Sequence, residues 1–227
     1  MDDAWAFARE ERARHLPPDL PGGYVCTPVE REPFWEAFEA DLAAHFPPEV
    51  FFDLDALRPP ERREAHERLR QLTRARELSD FWLVHAPDGQ LAAAFSGASR
   101  GIGYVQYVST VHTEHRRRGL YSAMTRRILA YTAAVGFDRV ESYHSPANNP
   151  ILLAKLGLGF NVVALEVDPG PGTSVKLCYF HSDALRRAYE FRCGSASLDD
   201  ELVAAGTGAM ALLRRQLGHV PPEPDRA

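Results

Sequence analysis

Three short apolar runs between Phe81 and Val111 constrain the fold of this chain most strongly. "FWLVHA", "LAAAFSGAS" and "YVQYVSTV" are separated only by the turn stretches "PDG" and "RGIG". Links that short join antiparallel neighbours, so the runs predict a three-stranded meander. The element after them has a different period. "RGLYSAMTRRILAYTAAVG" places Leu120, Met124, Ile128, Tyr131 and Val135 three or four residues apart, with Gly136 as a natural stop. That is the stripe of an amphipathic helix. "RVESYH" then reads as another strand, so the helix is a crossover. Hairpins followed by a crossover predict a mixed sheet flanked by helices, α/β in the α+β sense, and not one doubly wound throughout.

The flanks extend this frame. Residues 1–15 read as a short helix, and "LPPDLPGG" (16–23) as a proline/glycine break. "YVCTPV" reads as a first strand, and residues 32–46 as an amphipathic helix with Phe34, Phe38 and Leu42 four apart. "FPPEVFFDLDALRPP" reads as loop, and residues 61–79 as a charged, solvent-facing helix. After the crossover strand, "NNPILLAKLGLGF" opens a helix with Asn149 as N-cap and Pro150 at the first helical position. "NVVALEV" and "SVKLCYF" then form a final hairpin, followed by helical residues and a fraying "PPEPDRA". The expected organisation is an N-terminal helical arm (1–21), a central domain (22–182) and a C-terminal helical extension and tail (183–227).

Composition excludes several classes. Of 227 residues, 26 are basic and 31 acidic, a formal charge of -5, which disfavours a nucleic-acid binder. The charged helix alternates Glu with Arg and has no clean basic face. No apolar stretch nears the roughly 18 residues of a membrane helix, and the N-terminus lacks a leader pattern. Cys26, Cys178 and Cys193 are too far apart for a zinc set or a disulfide framework, so a reducing cytoplasm is the expected setting. A homodimer is allowed, though no feature of the sequence specifies one.

"RRRG" (116–119) lies where a strand ends and the periodic helix begins. The first amides of a helix have no internal partners, the helix dipole adds positive charge there, and Gly119 lets a ligand approach the backbone. A pyrophosphate cradle is physically reasonable at such a junction. A solvated surface turn is the plain alternative.

"VHTEHRRRGLYSAM" resembles the acyl-CoA-binding signature of the GNAT superfamily of N-acyltransferases. Val111 matches its strand-ending valine, Arg116 its Arg/Gln and Gly119 its glycine, whereas Tyr121 replaces the final Gly/Ala. "NNPILLAKLGLGF" resembles the family's second signature, with Asn148 eleven residues before Gly159-Phe160. The resemblance covers residues 22–182 and implies a mixed, mostly antiparallel sheet. It also implies acetyl-CoA as co-substrate. The amides from Arg116 through Arg117, Arg118, Gly119 and Leu120 to Tyr121 would hold the pyrophosphate. Arg116 and Arg118 would screen its charge, with Arg117 pointing to water. Backbone of Ser109, Thr110 and Val111 would pair with the pantetheine, and an amide there would polarise the thioester carbonyl. Asn148 would fix the pantetheine or cap the strand-helix junction.

The implied reaction is acetyl transfer to a primary amine, by direct attack in a ternary complex. Many family members protonate the leaving thiolate with a tyrosine four residues before the closing Gly-Phe. Lys155 stands there in this chain. At an ordinary value near roughly 10.4 its ammonium is a poor acid for a thiolate, and Lys155 reads as a solvent-facing helix residue. Tyr121 and Tyr143 are substitutes by residue type only. For a base, "YVQYVST" offers no carboxylate. His144 has the most suitable unperturbed pKa, near roughly 6.5, followed by Glu141 and then His112. A loop-capping histidine is the alternative role for His144. Eight acids between Glu30 and Asp55 (Glu30, Glu32, Glu36, Glu39, Asp41, Glu49, Asp53, Asp55) would favour a cationic amine, or form a solvated face. A CoA-binding sensor or interaction domain without turnover is the competing reading.

Overall fold

A computed structural model describes residues 5–45, 76–168, 172–197 and 199–205, together with residues 59, 64–65, 67–69 and 71. The chain forms two compact units, Met1–Tyr179 and Phe180–Ala227.

The first unit is built on an eight-stranded sheet: β1 (Asp19–Leu20), β2 (Tyr24–Pro28), β3 (Ser79–His85), β4 (Leu91–Arg100), β5 (Gly103–Val111), β6 (Arg139–His144), β7 (Asn161–Asp168) and β8 (Gly172–Phe180). Their spatial order is β1-β2-β3-β4-β5-β6-β8-β7. β1 through β5 and the β7–β8 hairpin are antiparallel, and β5 with β6 is a parallel pair. The mixed, mostly antiparallel sheet agrees with the expectation from the turns and the crossover. Tight turns at 86–90 and 101–102 force the meander, and helix α3 (Leu120–Val135) makes the crossover between β5 and β6.

Helices cover both faces. α3 lays Leu120, Met124, Ile128 and Tyr131 on one face, among Tyr104, Val140, Phe95 and Val84. Helix α1 (Ala6–His15) joins the same core through Ala8, followed by Leu16 and Leu20. Residues 5–21 therefore contribute buried side chains to the core of this unit. Helix α2 (Arg31–Ala37) covers the opposite face, where Phe34 and Leu42 pack with Leu83, Leu91, Ala94 and Val108.

Several boundaries differ from the sequence reading. The helix expected over 32–46 is α-helical only to Ala37, then continues as a wider turn (Phe38–Leu42) and a tight one (Ala43–His45). β1 lies inside the proline/glycine break and was not expected. Residues 76–78 are not helical, and Ser79 already begins β3, so the charged helix ends earlier than expected. Helix α4 (Asn149–Gly157) takes Asn148 as its N-cap, one residue earlier than expected, with no hydrogen bond from that side chain. The loop expected after residue 45 lies outside the described residues, apart from Pro59.

The second unit contains helices α5 (Asp183–Arg192) and α6 (Asp200–Ala204). Ser182 and Asp199 cap them through Leu185 N–H and Leu202 N–H. Arg187 pairs with Asp183 and Glu201.

Beneath α3 lies a buried charge. Asp80, fully buried on β3, accepts hydrogen bonds from Tyr104 (3.0 Å), Tyr131 (3.1 Å) and Arg12 of α1 (2.8 Å). Burial raises its carboxyl above the usual range, and these donors offset that only in part. Across the sheet, Asp80 is paired with Gly97. A Cβ at Gly97 would lie 2.4 Å from the Tyr104 ring, so only glycine lets that ring cross β4 to reach Asp80. Gly97→Ala is expected to lower stability by about 2–3 kcal/mol, because the displaced ring also strands a buried acceptor. Denaturant unfolding of Gly97→Ala, beside Tyr104→Phe at about 1 kcal/mol, measures it; an unchanged midpoint in Gly97→Ala contradicts the packing.

Candidate active site

The sheet forks between β5 and β6. Their pairing runs from Gly103↔Arg139 to Gln106↔Ser142 and stops there. β5 continues to Val111 against β4 alone, so from Tyr107 onward the other side of its backbone has no strand partner. The register with β4 slips at the same place, since Ser96 faces Val108 while Gly97 faces Gln106. Tyr107 is the extra residue of a β-bulge. The slip resets the alternation, so Gln106, Ser109 and Val111 share the α3 side while Val108 turns to the α2 side.

The Arg-Gly turn follows directly. His112 and the single turn Thr113–His115 lead to Arg117 (φ 62°) and Gly119 (φ 80°), both left-handed, and α3 starts at Leu120. Arg117 is the one non-glycine residue with positive φ among the described residues, a strain of about 1–2 kcal/mol. Its side chain is exposed, as expected. A Cβ on Gly119 would meet nothing within 4 Å, so the space before the helix start is open. The N–H groups of Leu120, Tyr121 and Ser122 have no acceptor within the helix.

The other two arginines are held. Arg116 donates from Nε to Val111 C=O (3.1 Å) and from Nη2 to His45 C=O (2.8 Å), closing the turn onto the segment after α2. Arg118 donates from Nη1 to Tyr24 Oη (3.1 Å). Tyr24 is 3.0 Å from His115 Nδ1, and His115 Nε2 is 2.8 Å from Gln90 Oε1. One proton order satisfies all three contacts. Arg118 donates to Tyr24, Tyr24 donates to His115 Nδ1, and His115 Nε2–H donates to Gln90.

The three catalytic candidates are not brought together. Alternation along β6 puts His144 and Ser142 on the α3 side and Glu141 and Tyr143 on the other. Burial would raise Glu141, but Arg139 (2.7 Å) and Lys176 (3.0 Å) outweigh it and hold the carboxylate below its usual range. Tyr143 Oη accepts from Arg100 (3.2 Å) and donates to Glu141 (3.4 Å). His144 lies 3.1 Å from Ser142 Oγ. Burial, helped by the Lys155 ammonium, pushes its pKa down to about 3. The expectation that His144 titrates near 6.5 is therefore corrected, and at neutral pH it is a weak proton acceptor.

Lys155 is the larger correction. It is fully buried and not solvent-facing. α4 lies over the fork, and Lys155 Nζ reaches Gln106 Oε1 at 2.5 Å, on the last rung of the β5–β6 pairing. The Phe160 ring lies 4.1 Å from Nζ and the Tyr121 ring 5.9 Å. Burial lowers its pKa to about 7. Tyr121, the departure from the expected glycine or alanine, turns its ring toward Phe95 (6.3 Å) and Lys155, away from the turn. Asn148 sits half-buried at the start of α4.

Of the acidic stretch, Glu30, Glu32, Glu36, Glu39 and Asp41 are exposed, while Glu49, Asp53 and Asp55 lie outside the described residues. Gln106, Tyr24, His115 and Gln90 were missed from the sequence, whereas Lys155 was singled out by its offset from Gly159-Phe160 and set aside as solvent-facing. Among the described residues no helix is long and apolar enough to cross a membrane, and no group of His, Cys, Asp or Glu could hold a metal ion.

Acetyltransferases are among the solved structures of similar fold. Ribosomal-protein-S5-alanine acetyltransferase from Vibrio fischeri is 13% identical, with a TM-score of 0.52 over 73% of this chain and 96% of that one. The ribosomal-protein-S18-alanine N-acetyltransferase from Escherichia coli is 14% identical, with a TM-score of 0.49 over 70% and 94%. Nourseothricin acetyltransferase is 18% identical, with a TM-score of 0.42, and the match spans 46% of this chain and 66% of that one. No curated protein matches the chain. The family described as acetyltransferase (GNAT) domain matches residues 9–148, which take in the meander, the fork and the Arg-Gly turn. With that match over more than half its length, the chain belongs to the GNAT acetyltransferase family.

Proposed function

We propose that the protein transfers an acetyl group from acetyl-CoA to a primary amine of a small molecule or peptide, by direct attack in a ternary complex. The observation that carries this reading is the edge of β5 that has no strand partner beyond Gln106, followed in the chain by the open helix start at Gly119. A strand edge with free amides fits the amide-bearing pantetheine arm, and the helix start fits its pyrophosphate. The residues present fit this co-substrate: Ser109, Thr110 and Val111 along the arm, and the amides from Arg117 to Tyr121 with Arg118 at the phosphates. Arg116 serves by closing the turn, and Asn148 borders the fork.

An amide on the open stretch of β5 polarises the thioester carbonyl. The attacking amine gives its proton to water, because His144 is held neutral and both carboxylate oxygens of Glu141 are paired on the other face. The exposed acids of the α2 segment favour a cationic acceptor by steering.

Two sets of variants test the reading. Gly119→Ala costs about 1–2 kcal/mol of stability, because a side chain is forced into left-handed backbone. Gly119→Trp fills the open space as well, and is expected to lower acetyl-CoA affinity more than 10-fold in calorimetry while remaining folded. A folded Trp variant with unchanged affinity contradicts the cradle. Normal CoA binding without thiol release across a panel of primary amines would establish the sensor reading instead.

Arg118→Ala is expected to weaken CoA about 10–100-fold, the worth of a charge-assisted hydrogen bond to phosphate. Tyr24→Phe should reproduce a part of that loss by releasing Arg118, and should add little to Arg118→Ala in the double variant. Full additivity of the two losses would show that Tyr24 does not act through Arg118.

A further inference from the structure

Resting on the acyl-transfer reading above, we propose that Lys155 is the proton donor to the departing sulfur of coenzyme A, held in position by Gln106. Bond making to the amine nitrogen breaks the C–S bond and leaves the electron pair on sulfur. The sulfur then takes a proton from Nζ, leaving Lys155 as a neutral amine that regains a proton from water. The nitrogen that attacked loses its own proton to water, so charge and atoms balance.

Placement is the first argument. Lys155 Nζ sits at the branch point of β5 and β6, where the open edge begins, and its contact with Gln106 fixes it there. As an ammonium, Lys155 can only donate, so the amide oxygen of Gln106 faces it. The amide nitrogen, Nε2, is then left buried with no acceptor among the described residues. A buried ammonium with one polar contact, beside a buried N–H group with none, is a donor set lacking an acceptor. A thiolate formed at the fork supplies one. Glu141, being ionised and on the far face, does not.

Elimination is the second argument. The titratable groups that touch or act on Lys155 are His144 on β6 and Tyr121 on α3, with Tyr179 of β8 one ring further out, against Phe160. His144 carries no spare proton near neutrality, and burial raises the Tyr121 phenol above its already high ordinary value. Tyr143 is on the opposite face, bound to Arg100 and Glu141.

Energetics agree. An ordinary lysine, near roughly 10.4, would give its proton uphill to a thiolate of roughly 8.5. At about 7, Lys155 gives it downhill while remaining about half protonated at neutral pH. Arginine supplies all but two of the chain's 26 basic residues, but an arginine at 155 could not release a proton.

The experiment uses Lys155→Met in the full chain, with acetyl-CoA and two small amines. Ethylamine arrives protonated near neutral pH and methoxyamine arrives neutral. Thiol release is expected to fall about 10²-fold with both amines, at unchanged acetyl-CoA affinity by calorimetry. A deficit with ethylamine that disappears with methoxyamine would make Lys155 a base for the acceptor and overturn the proposal. Full activity with both would overturn it as well, while leaving the acyl-transfer reading standing. A wild type that binds no acetyl-CoA, or releases no thiol with either amine, would overturn the acyl-transfer reading itself.

The chain's two lysines also permit a readout independent of turnover. The carbon-13 signal of Lys155 Cε, assigned by its absence from the Met variant, should titrate near 7, well below that of Lys176. A midpoint near 10 would remove the donor. In kcat/KM with ethylamine, the wild-type rise with pH should level off near 7, because Lys155 then loses its proton as fast as the amine loses its own. In Lys155→Met the rise should continue toward the ethylamine pKa.

Discussion

One rung of the sheet organises both the core and the site. Asp80, Gly97, Gln106 and Ser142 face one another in register across β3, β4, β5 and β6, on the side covered by α3. A polar row in the middle of an apolar layer is expensive unless every member finds a partner. Asp80 finds three donors, and the absent side chain of Gly97 makes room for one of them. Gln106 finds Lys155. The row marks where β5 is bulged and β6 parts from it, so the opening in the sheet begins at a position whose packing is already determined.

The two ends of the row differ in what they hold. At the Asp80 end an anion is matched by a partly exposed guanidinium and two phenols, which together tie α1 and α3 to the sheet. Removing one partner there leaves a buried charge exposed to a low-dielectric interior, which makes the tie structural. At the Lys155 end the cation has a neutral partner and aromatic rings, and its charge is not matched by a carboxylate. The lower pKa follows from that imbalance. The same layer thus contains one satisfied charge and one that is not.

Local features of the sequence were enough for the frame. Hairpin turns, the stripe of α3 and the glycine at 119 depend on neighbours a few residues away, and among the described residues the expected strands and helices lie within a few residues of where the pattern puts them, β1 being the addition. The candidate site's open helix start at Arg117 to Tyr121 was legible because local backbone makes it. The candidate site was illegible where a distant side chain completes it. Tyr24 lies 94 residues from the Arg118 it holds, and Gln106 lies 49 residues from Lys155. Lys155 carried a misleading signal, because a charged residue on a short helix ordinarily faces water. Its neighbours Leu153 and Leu156 are the exposed ones, inverting the usual pattern. The tilt of α4 over the fork, which decides which of them is covered, is a tertiary fact. His144 was misjudged for the same reason, since its titration depends on burial by elements far away in the chain.

The contact from Arg118 to Tyr24 has a kinetic and thermodynamic meaning as well. It closes a loop of more than 90 residues, a contact that forms late because its entropy cost precedes its reward. The turn before α3 is thus finished only after β2 has taken its place in the sheet. By linkage, whatever binds that turn strengthens the hold on the N-terminal strand, and loosening of that strand weakens the turn by the same amount. Occupancy of the helix start and docking of β2 are coupled through that one contact.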